Sequence, residues 1–384
     1  MEKREICPYA GACGGCDYQG VTYQEQLKKK QKQMKKLLGI FGKVQPILGE
    51  KNPYHYRNKV HHVVVSDKRK QLISGVYRKG THKVVDIDHC MIEDEKCQTI
   101  IKTIEELARS FKIRAYNEDT GRGVLRHILL RRGFNTGEIL VVLVVGNTIF
   151  PSKKEFVKEL LLWHPEITSV VVNYNLKKTT FVLGEKEEIL YGNGYITDIL
   201  LEKRYRISPK SFYQINTAQT EVLYKTAIEM AGFKGNETVI DAYCGIGTIG
   251  LSLADSVKKV IGVELNQDAV RDAKENARNN GVTNVRFYQG DAGRFMVEMA
   301  NAGKKADVVI MDPPRSGSDE RFLQAIVKLR PEKVIYISCG PDTQKRDMLY
   351  LKNHGYQVKR IQPVDLFSFT RHVESAVLLT RSLD

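Results

Sequence analysis

The sequence predicts an α/β protein with two parts: a C-terminal doubly wound α/β domain, and an N-terminal and central α+β region. After about Leu201, strand, turn and helix alternate repeatedly, a pattern typical of a parallel sheet covered by helices on both faces. Between Tyr56 and Gly146, short β-rich stretches are separated by glycine or polar turns, which indicates antiparallel strands. The 384 residues are also too many for one compact core.

Three segments are expected along the chain. Residues 1–50 contain a cysteine motif and a basic helix, 51–195 form the central α+β domain, and 196–384 form the doubly wound domain. The helix is predicted at Tyr23–Leu38, where lysines surround a thin apolar stripe. Strands are predicted at 60–65, 72–77, 125–131, 139–145, 169–174 and 179–182 in the central domain, and at 238–242, 259–264, 285–289, 307–311 and 333–338 in the last.

Composition narrows the class of partner. The formal net charge is +15, from 60 Lys plus Arg against 45 Asp plus Glu, which favours a polyanion over a merely solvated basic surface. No apolar run approaches the roughly 20 residues that cross a bilayer, and the charged N-terminus leads into no signal-peptide core. We therefore expect a cytoplasmic protein whose seven cysteines serve metal binding or catalysis and do not form disulfides.

A glycine-containing turn indicates a nucleotide-binding site. The sequence D-A-Y-C-G-I-G-T-I-G at 241–250 follows a predicted strand and opens a helix. Gly245 and Gly247 permit a tight turn and a close approach of the backbone to a ligand. The turn alone does not distinguish this site from the dinucleotide site of a dehydrogenase.

Polar residues at the next strand ends favour S-adenosylmethionine (SAM). Glu264 ends the second strand, where a carboxylate can accept hydrogen bonds from both ribose hydroxyls. Asp291 follows the third strand, where it could accept from an adenine amino group, and Asp312 opens a D-P-P-R motif after the fourth. Each acid could instead cap a helix. Four polar features at four successive strand ends, with a D-P-P motif that nicotinamide enzymes do not need, favour SAM.

A cysteine and a glutamate form a candidate catalytic pair. Cys339 follows the fifth strand, and Gly340 and Pro341 force a loop directly after it. The thiol is therefore expected at the carboxyl edge of the sheet, where this fold places its chemistry. Glu374 precedes a final strand-like run. The alternatives are a buried structural cysteine and a surface carboxylate.

The remaining cysteine pattern suggests a metal centre. Cys7, Cys13 and Cys16 have C-x5-C-x2-C spacing, and Cys90 lies far downstream. Four thiolates can hold zinc or a 4Fe–4S cluster. Structural zinc usually uses two close pairs, so three clustered cysteines and one remote one favour the iron–sulfur cluster. Cys97 is expected to be structural.

Together these features resemble the RNA 5-methyluridine methyltransferases of bacterial 23S rRNA and tRNA. The resemblance covers nearly the whole chain. It rests on the four cysteines, S-F-Y-Q-I-N at 211–216, the glycine turn, D-P-P-R at 312–315, S-C at 338–339 and H-V-E at 372–374.

The resemblance implies SAM-dependent methylation of carbon 5 of a uridine. It implies that Cys339 is the nucleophile, that Glu374 is the base, and that the four cysteines hold a 4Fe–4S cluster. These residue types suit the reaction, because a thiolate can add to carbon 6 and be expelled again, and a carboxylate can remove the carbon 5 proton. Residues implied to contact SAM or the substrate are Gln214, Tyr243, Glu264, Asp291 and Asp312, with Gly245 and Gly247 in the cofactor turn.

Two departures from the family bear on the RNA target. Gly340 stands where the family usually has Asn, and the cysteine motif begins almost at Met1, so no N-terminal β-barrel (TRAM) domain is expected. Family members that have the cysteine cluster and lack the barrel are mostly 23S rRNA enzymes, so the resemblance implies that branch. We therefore expect a monomer that binds structured RNA, 23S rRNA first and tRNA as the alternative. Recognition is expected from the lysine helix and a basic central face that includes Arg57, Arg126 and Arg131.

Two other functions share parts of this pattern. Methyltransferases of exocyclic amines also use a D-P-P motif, but they need an aromatic residue after the prolines, and here Arg315 follows. A non-catalytic RNA-binding protein that has kept the SAM fold would not need Cys339 and Glu374. Both residues are present, and we therefore expect an enzyme.

Overall fold

The computed structural model describes residues 6–382, which divide into two compact units. The first unit contains residues 6–22, 52–199 and 206–210. The second contains residues 23–51, 200–205 and those from 211 onward. The lysine-rich segment 23–51 thus packs with the C-terminal part of the chain, separately from the cysteine segment that precedes it in sequence.

The described residues contain nine α-helices and sixteen β-strands. The first half of the chain has helices α1 (Tyr23–Leu38), α2 (Glu95–Ser110) and α3 (Lys153–Trp163), and strands β1 (Lys59–Ser66), β2 (Leu72–Tyr77), β3 (Val84–Asp86), β4 (Leu125–Arg132), β5 (Ile139–Val145), β6 (Ile167–Tyr174), β7 (Lys186–Tyr191), β8 (Ile196–Leu200) and β9 (Lys203–Ile207). The second half has helices α4 (Thr217–Ala231), α5 (Thr248–Leu253), α6 (Gln267–Asn279), α7 (Ala292–Asn301), α8 (Glu320–Leu329) and α9 (Pro341–Asn353), and strands β10 (Thr238–Ala242), β11 (Lys259–Glu264), β12 (Val285–Gln289), β13 (Val308–Met311), β14 (Lys333–Ser338), β15 (Tyr356–Val364) and β16 (Glu374–Arg381). Within residues 6–382, no helix combines the length and the apolar character that crossing a membrane would require.

The first unit is built on a seven-stranded sheet with the order β3-β2-β1-β4-β5-β6-β7. Neighbouring strands are antiparallel except β5 and β6, which α3 connects and which are therefore parallel. Ile100 and Ile104 of α2 share a buried core with Ile128 and Leu130 of β4. Residues two apart on a strand point to the same face, which explains the spacing of the β4 pair.

One strand predicted in this unit is wrong. Residues 179–182 form a loop, and the strand that follows is β7, which the sequence analysis did not identify. The side-chain amide of Asn175 donates hydrogen bonds to the carbonyl oxygens of Phe181 and Val182, at 2.7 Å and 3.1 Å. These bonds close the loop and occupy carbonyl groups that a strand would offer to a neighbour.

The second unit has the predicted doubly wound sheet, in the order β12-β11-β10-β13-β14-β16-β15. The strands β10 to β14 are parallel, and β16 runs antiparallel to both β14 and β15. The carboxyl ends of the parallel strands therefore lie at one edge. The first residue of β16 is at that same edge because β16 runs in the opposite direction.

Helix α1 belongs to the core of the second unit. Met34 and Leu38 are fully buried and share a core cluster with Met348 and Leu351 of α9. The chain after α1 then runs beside β15, with short parallel bridges at residues 44 and 48. The apolar stripe on this otherwise basic helix thus attaches it to the core of the second unit.

Candidate active site

The turn between β10 and α5 has the backbone geometry that its glycines permit. Gly245 and Gly247 have φ values of +54° and +84°, a region that residues with a Cβ rarely adopt. A Cβ at Gly247 would lie 2.7 Å from Cζ of Phe287. Around Gly245, by contrast, nothing else in the described part of the chain lies within 4 Å of a Cβ position. The backbone at Gly245 is therefore open to a ligand.

Two carboxylates hold this turn in place. Asp241 contacts α5: its Oδ2 accepts a hydrogen bond from the backbone N–H of Gly250 at 2.8 Å. Glu264 accepts from the N–H groups of Gly245, at 3.0 Å, and Asn266, at 2.8 Å. Burial is the main cause that raises the pKa of Asp241 to about 7. Glu264 thus orients the glycine turn, and its contact with a ribose stays a prediction.

The other residues expected to contact the cofactor or substrate lie in different surroundings. Asp291 is exposed and caps α7 by accepting a hydrogen bond from the N–H of Arg294 at 2.8 Å, which is the alternative role considered for this acid. Tyr243 has a φ of +63°, and its ring centroid lies 5.0 Å from that of Phe322. Gln214 is buried. Direct contact of these three residues with a ligand stays a prediction.

The residues expected to act as nucleophile and base meet at one edge of the sheet. Asp312 follows β13 and Cys339 follows β14, and the parallel pairing of these strands places both residues at the carboxyl edge. Ser338 of β14 pairs with Ser375 of β16. Glu374, which precedes Ser375, therefore lies beside Cys339. Glu374 is 3% exposed, whereas Cys339 is half-buried, so the thiol can be reached from outside.

The charges around Cys339 oppose one another. Burial raises the pKa of the thiol to about 11, and the negative charges of Glu374 and Asp312 raise it as well. Arg315 lowers it by its positive charge and by a hydrogen bond. Burial also raises the pKa of Asp312, to about 7, and that of Glu374, on which the charge of Asp312 acts in the same direction. At neutral pH the thiol is therefore favoured over the thiolate.

Arg315 is the member of this site that the sequence analysis did not identify. Its charge lowers the pKa of both Cys339 and Glu374, so it stabilises the negative form of each. The signal was present in the sequence, because Arg315 directly follows the D-P-P motif at the same strand end. In the sequence Arg315 contributed to the family resemblance and counted against an amine methyltransferase, but it was assigned no role in the site.

Gly340, which follows Cys339, fits a tight space. A Cβ at Gly340 would lie 2.7 Å from Oγ1 of Thr343 and 2.8 Å from the carbonyl oxygen of Arg315. The Thr343 hydroxyl donates to that same carbonyl at 3.0 Å, and the N–H of Gly340 donates to Oγ of Ser338 at 3.0 Å. An Asn side chain at this position would require the loop that carries Arg315 to move. Gly340 therefore allows this loop to pack directly against the turn after Cys339.

The four cysteines expected to bind a cluster all lie in the first unit. Burial raises the pKa of Cys16 and of Cys90 to about 12. The charges of Cys13 and Cys7 raise the pKa of Cys16, and the charge of Cys16 raises that of Cys90. Among residues 6–382, however, no group of three or more His, Cys, Asp or Glu side chains is arranged to hold a metal ion. The geometry thus does not support the cluster, although the donor type suits it.

The basic surface differs from the expected one in α1. Lys30 is fully buried and pairs with Asp365. It cannot contact RNA phosphates from that position. The exposed lysines of this helix are Lys28, Lys29, Lys32, Lys35 and Lys36.

The central arginines also differ from expectation. Arg126 is buried, and its guanidinium donates to the carbonyl oxygens of Asn175 and Lys177 and to the carboxylate of Glu118. Arg131 is buried as well. The expectation that these two side chains form an exposed basic face is wrong. Arg126 is occupied in fixing the loop that follows β6.

Comparison with known proteins gives a consistent family. Residues 22–382 match the profile of the tRNA (uracil-5-)-methyltransferases. An uncharacterized RNA methyltransferase of Halalkalibacterium halodurans is 44% identical over 378 residues, covering 97% of this chain and 82% of that protein. Another, from Clostridium tetani, is 43% identical over 378 residues with the same coverage of both chains.

Among solved structures, the chain is similar to the tRNA (uracil-54, C5)-methyltransferase of Pyrococcus abyssi, crystallised in complex with S-adenosyl-L-homocysteine. The TM-score is 0.81 at 28% sequence identity, over 96% of this chain and 86% of that one. The similarity thus extends over both units of the chain. The profile match and these relatives together show that the chain belongs to the tRNA (uracil-5-)-methyltransferase family and is an RNA methyltransferase.

Proposed function

We propose that this enzyme transfers the methyl group of SAM to carbon 5 of a uridine in 23S rRNA, through a covalent bond between Cys339 and carbon 6 of the uracil. The adjacency of Cys339 and Glu374 at the carboxyl edge of the sheet carries the proposal. Carbon 5 of uracil is a weak nucleophile, and a reaction there needs both an activating nucleophile and a base. Methylation of an exocyclic amine would need neither.

The residues at the ends of β10, β11 and β12 fit SAM. The open backbone at Gly245 allows a close approach, and the acids Glu264 and Asp291 suit the hydroxyl and amino groups of an adenosine. The Pyrococcus abyssi relative was crystallised with S-adenosyl-L-homocysteine, which differs from SAM by the methyl group and the charge on sulfur. When bound, SAM supplies an electrophilic methyl group.

The side chains of this chain perform the remaining chemistry. Cys339 acts as the thiolate, after its proton has passed to solvent. The thiolate donates an electron pair to carbon 6, the 5,6 π bond breaks, and its electrons form an enolate that makes carbon 5 nucleophilic. Once carbon 5 has received the methyl group, Glu374 takes its proton. The electrons of that C–H bond restore the 5,6 double bond as the carbon–sulfur bond breaks and the thiolate leaves. Arg315 favours the thiolate at the first and last steps.

The proposed substrate is a structured RNA that presents an extruded uridine. A base stacked in a helix cannot reach a half-buried thiol, so it must leave its stack. The net charge of +15 and the exposed lysines of α1 favour a polyanionic partner. We further propose that the enzyme acts as a monomer in the cytoplasm.

A uridine in tRNA is the second candidate target. The 23S rRNA assignment is supported by the resemblance of the cysteine pattern to that branch of the family. The tRNA assignment is supported by the solved structure with a TM-score of 0.81, which is a tRNA (uracil-54, C5)-methyltransferase. The chemistry at Cys339 is the same for both targets, so only the RNA distinguishes them.

We also propose that Cys7, Cys13, Cys16 and Cys90 hold a 4Fe–4S cluster. The spacing of the cysteines in the sequence and the resemblance to the cluster-bearing branch of the family support it. The described side chains do not form a metal-binding arrangement, and no step of the reaction is assigned to the cluster. Thiols must lose their protons to bind iron, and a bound metal would lower the raised pKa values of Cys16 and Cys90.

The target can be identified by mapping 5-methyluridine in total RNA from cells with and without the gene. We expect one or more 23S rRNA positions to lose the modification in the deleted strain, while tRNA is unchanged. The purified enzyme should restore the same positions in ribosomal RNA from that strain. Loss confined to tRNA would replace the 23S rRNA assignment with the tRNA one.

The covalent mechanism can be tested with variants of the two catalytic residues. Cys339→Ala should abolish methylation and leave SAM affinity nearly unchanged, because the thiol acts on the base. Glu374→Gln should accumulate a methylated protein–RNA adduct that survives denaturation, because the carbon 5 proton is not removed. The double variant serves as the control and should form no adduct. Methylation by Cys339→Ala at near-normal rates would contradict the mechanism.

The raised pKa of Cys339 predicts that the rate of its alkylation by iodoacetamide depends on pH. The Cys339→Ser variant measures the alkylation of the other cysteines, which is subtracted. Because the pKa is raised to about 11, the rate should climb about tenfold per pH unit from neutral pH upward, with no plateau before pH ~10. Arg315→Met removes the charge that lowers the pKa, so alkylation should be slower at each pH. Arg321→Met, an exposed change in α8, should match the parent enzyme. A plateau near neutral pH would show a resting thiolate instead.

The metal assignment predicts about four iron and four sulfide per chain in protein purified without oxygen, with broad visible absorption. Cys90→Ser should lower the iron content while SAM affinity is retained, because Cys90 lies in the other unit. Cys97→Ser is the matched control, since this fully buried cysteine is not part of the proposed set. Zinc without iron in the elemental analysis would replace the cluster assignment.

A further inference from the structure

The loop that leads to Glu374 is a buried hairpin connection. Strands β15 and β16 pair antiparallel, with Val364 opposite Glu374, so the loop 365–373 ends directly at the proposed base. Asp365 and Ser368 are fully buried, and Phe369 is 5% exposed. The position of this loop therefore determines where β16 begins and where the Glu374 carboxylate lies.

Two buried side chains of helix α1 form hydrogen bonds with this loop. Nζ of Lys30 lies 2.5 Å from Oδ1 of Asp365 and 3.0 Å from the carbonyl oxygen of Phe367. Oε1 of Gln26 accepts a hydrogen bond from the N–H of Phe369 at 3.0 Å. Gln26 and Lys30 are four residues apart on the helix and so share one face. Both are fully buried.

The loop has a conformation that needs such support. Phe369 has a φ of +66°, in the left-handed region that a residue with a Cβ adopts only when its surroundings enforce it. The bond from its N–H to Gln26 holds that peptide from one side. Thr370 turns back on the other side, where both its N–H and its hydroxyl donate to the carbonyl oxygen of Phe367. That same carbonyl accepts from Lys30.

A second set of contacts links the loop to the start of α4. Glu50 accepts from Nδ2 of Asn216 at 3.0 Å and from Oγ of Ser368 at 3.3 Å. Nδ2 of Asn216 also donates to the carbonyl oxygen of Leu366 at 3.2 Å. Asn216 stands two residues after Gln214, in the segment expected to contact SAM or the substrate. One polar network thus reaches both the segment with Gln214 and the loop before Glu374.

We propose that Lys30 is a positioning residue for the methyl-transfer reaction: through Asp365 and Phe367 it holds the 365–373 loop so that Glu374 can remove the carbon 5 proton. The proposal rests on the function proposed above. A buried ion pair is weak evidence for stability alone, because desolvation offsets its attraction. Its geometric effect is specific, since the pair joins α1 to the loop that sets the base.

The test follows the covalent adduct in single-turnover reactions. Lys30→Met keeps the length of the side chain and removes the charge. SAM affinity and adduct formation should stay close to the parent values, because the bonds of Lys30 to Asp365 and Phe367 act on the loop before Glu374. Resolution of the methylated adduct should slow by about tenfold or more, a part of what a general base typically contributes. The matched control is Lys352→Met, an exposed lysine on α9, which should resolve its adduct like the parent.

The outcomes separate this proposal from the proposed function. Glu374→Gln is measured in parallel. If Glu374→Gln accumulates adduct but Lys30→Met resolves its adduct at the parent rate, Lys30 is not a positioning residue. The proposed function then still stands. If Glu374→Gln forms no adduct, the proposed function itself fails. A uniform loss of SAM affinity and adduct formation in folded Lys30→Met would show a merely structural role. If Lys30→Met does not fold, Asp365→Asn is measured in its place. This variant keeps the shape of the side chain and leaves the bond from Lys30 to Phe367 in place, but it removes the negative charge. It should also slow resolution of the adduct.

Discussion

The direction of the strands is the constraint on which the proposed active site depends. Five parallel strands bring their carboxyl ends to one edge, and residues from separate parts of the second unit meet there. The antiparallel strand β16 is what adds Glu374, because it begins where β14 ends. If β16 ran parallel to β14, Glu374 would lie at the opposite edge, far from Cys339. The final β15–β16 hairpin is therefore as important to the chemistry as the nucleotide-binding half of the sheet.

This edge concentrates groups whose charges conflict. Asp312 and Glu374 are close enough that each disfavours the charged form of Cys339, and Arg315 opposes them. A thiol that is protonated at rest reacts slowly, because the thiolate is the nucleophilic form. A uracil that fills the site would bring a polar group close to these charges. Gly340 lets the loop carrying Arg315 pack against the turn after Cys339, which links this departure from the family pattern to the electrostatics.

Helix α1 has two separate roles that its sequence does not distinguish. Its outer face carries exposed lysines that suit an RNA backbone. Its inner face carries Lys30 and Gln26, which are buried against the loop before Glu374. A residue that one would assign to RNA binding thus belongs to the interior of the catalytic unit. The same distinction applies to Arg126 in the first unit, which is buried and supports a loop.

The sequence by itself determined the doubly wound sheet, most of its strand bounds, the glycine turn and the candidate pair Cys339 and Glu374. These features are local: hydrophobic periodicity reports a strand, and glycines with a following helix report a turn. Only the tertiary structure decided that Lys30 pairs with Asp365, since residues so distant along the chain have no local signal that marks them as partners. The tertiary structure likewise decided the burial of Arg126, whose guanidinium donates to the carbonyl oxygen of Asn175. It also decided the loop at 179–182, where the Asn175 side chain donates to the carbonyl oxygen of Phe181. Charge patterning along a sequence cannot tell an exposed cation from a buried one, because burial depends on what the fold places against it.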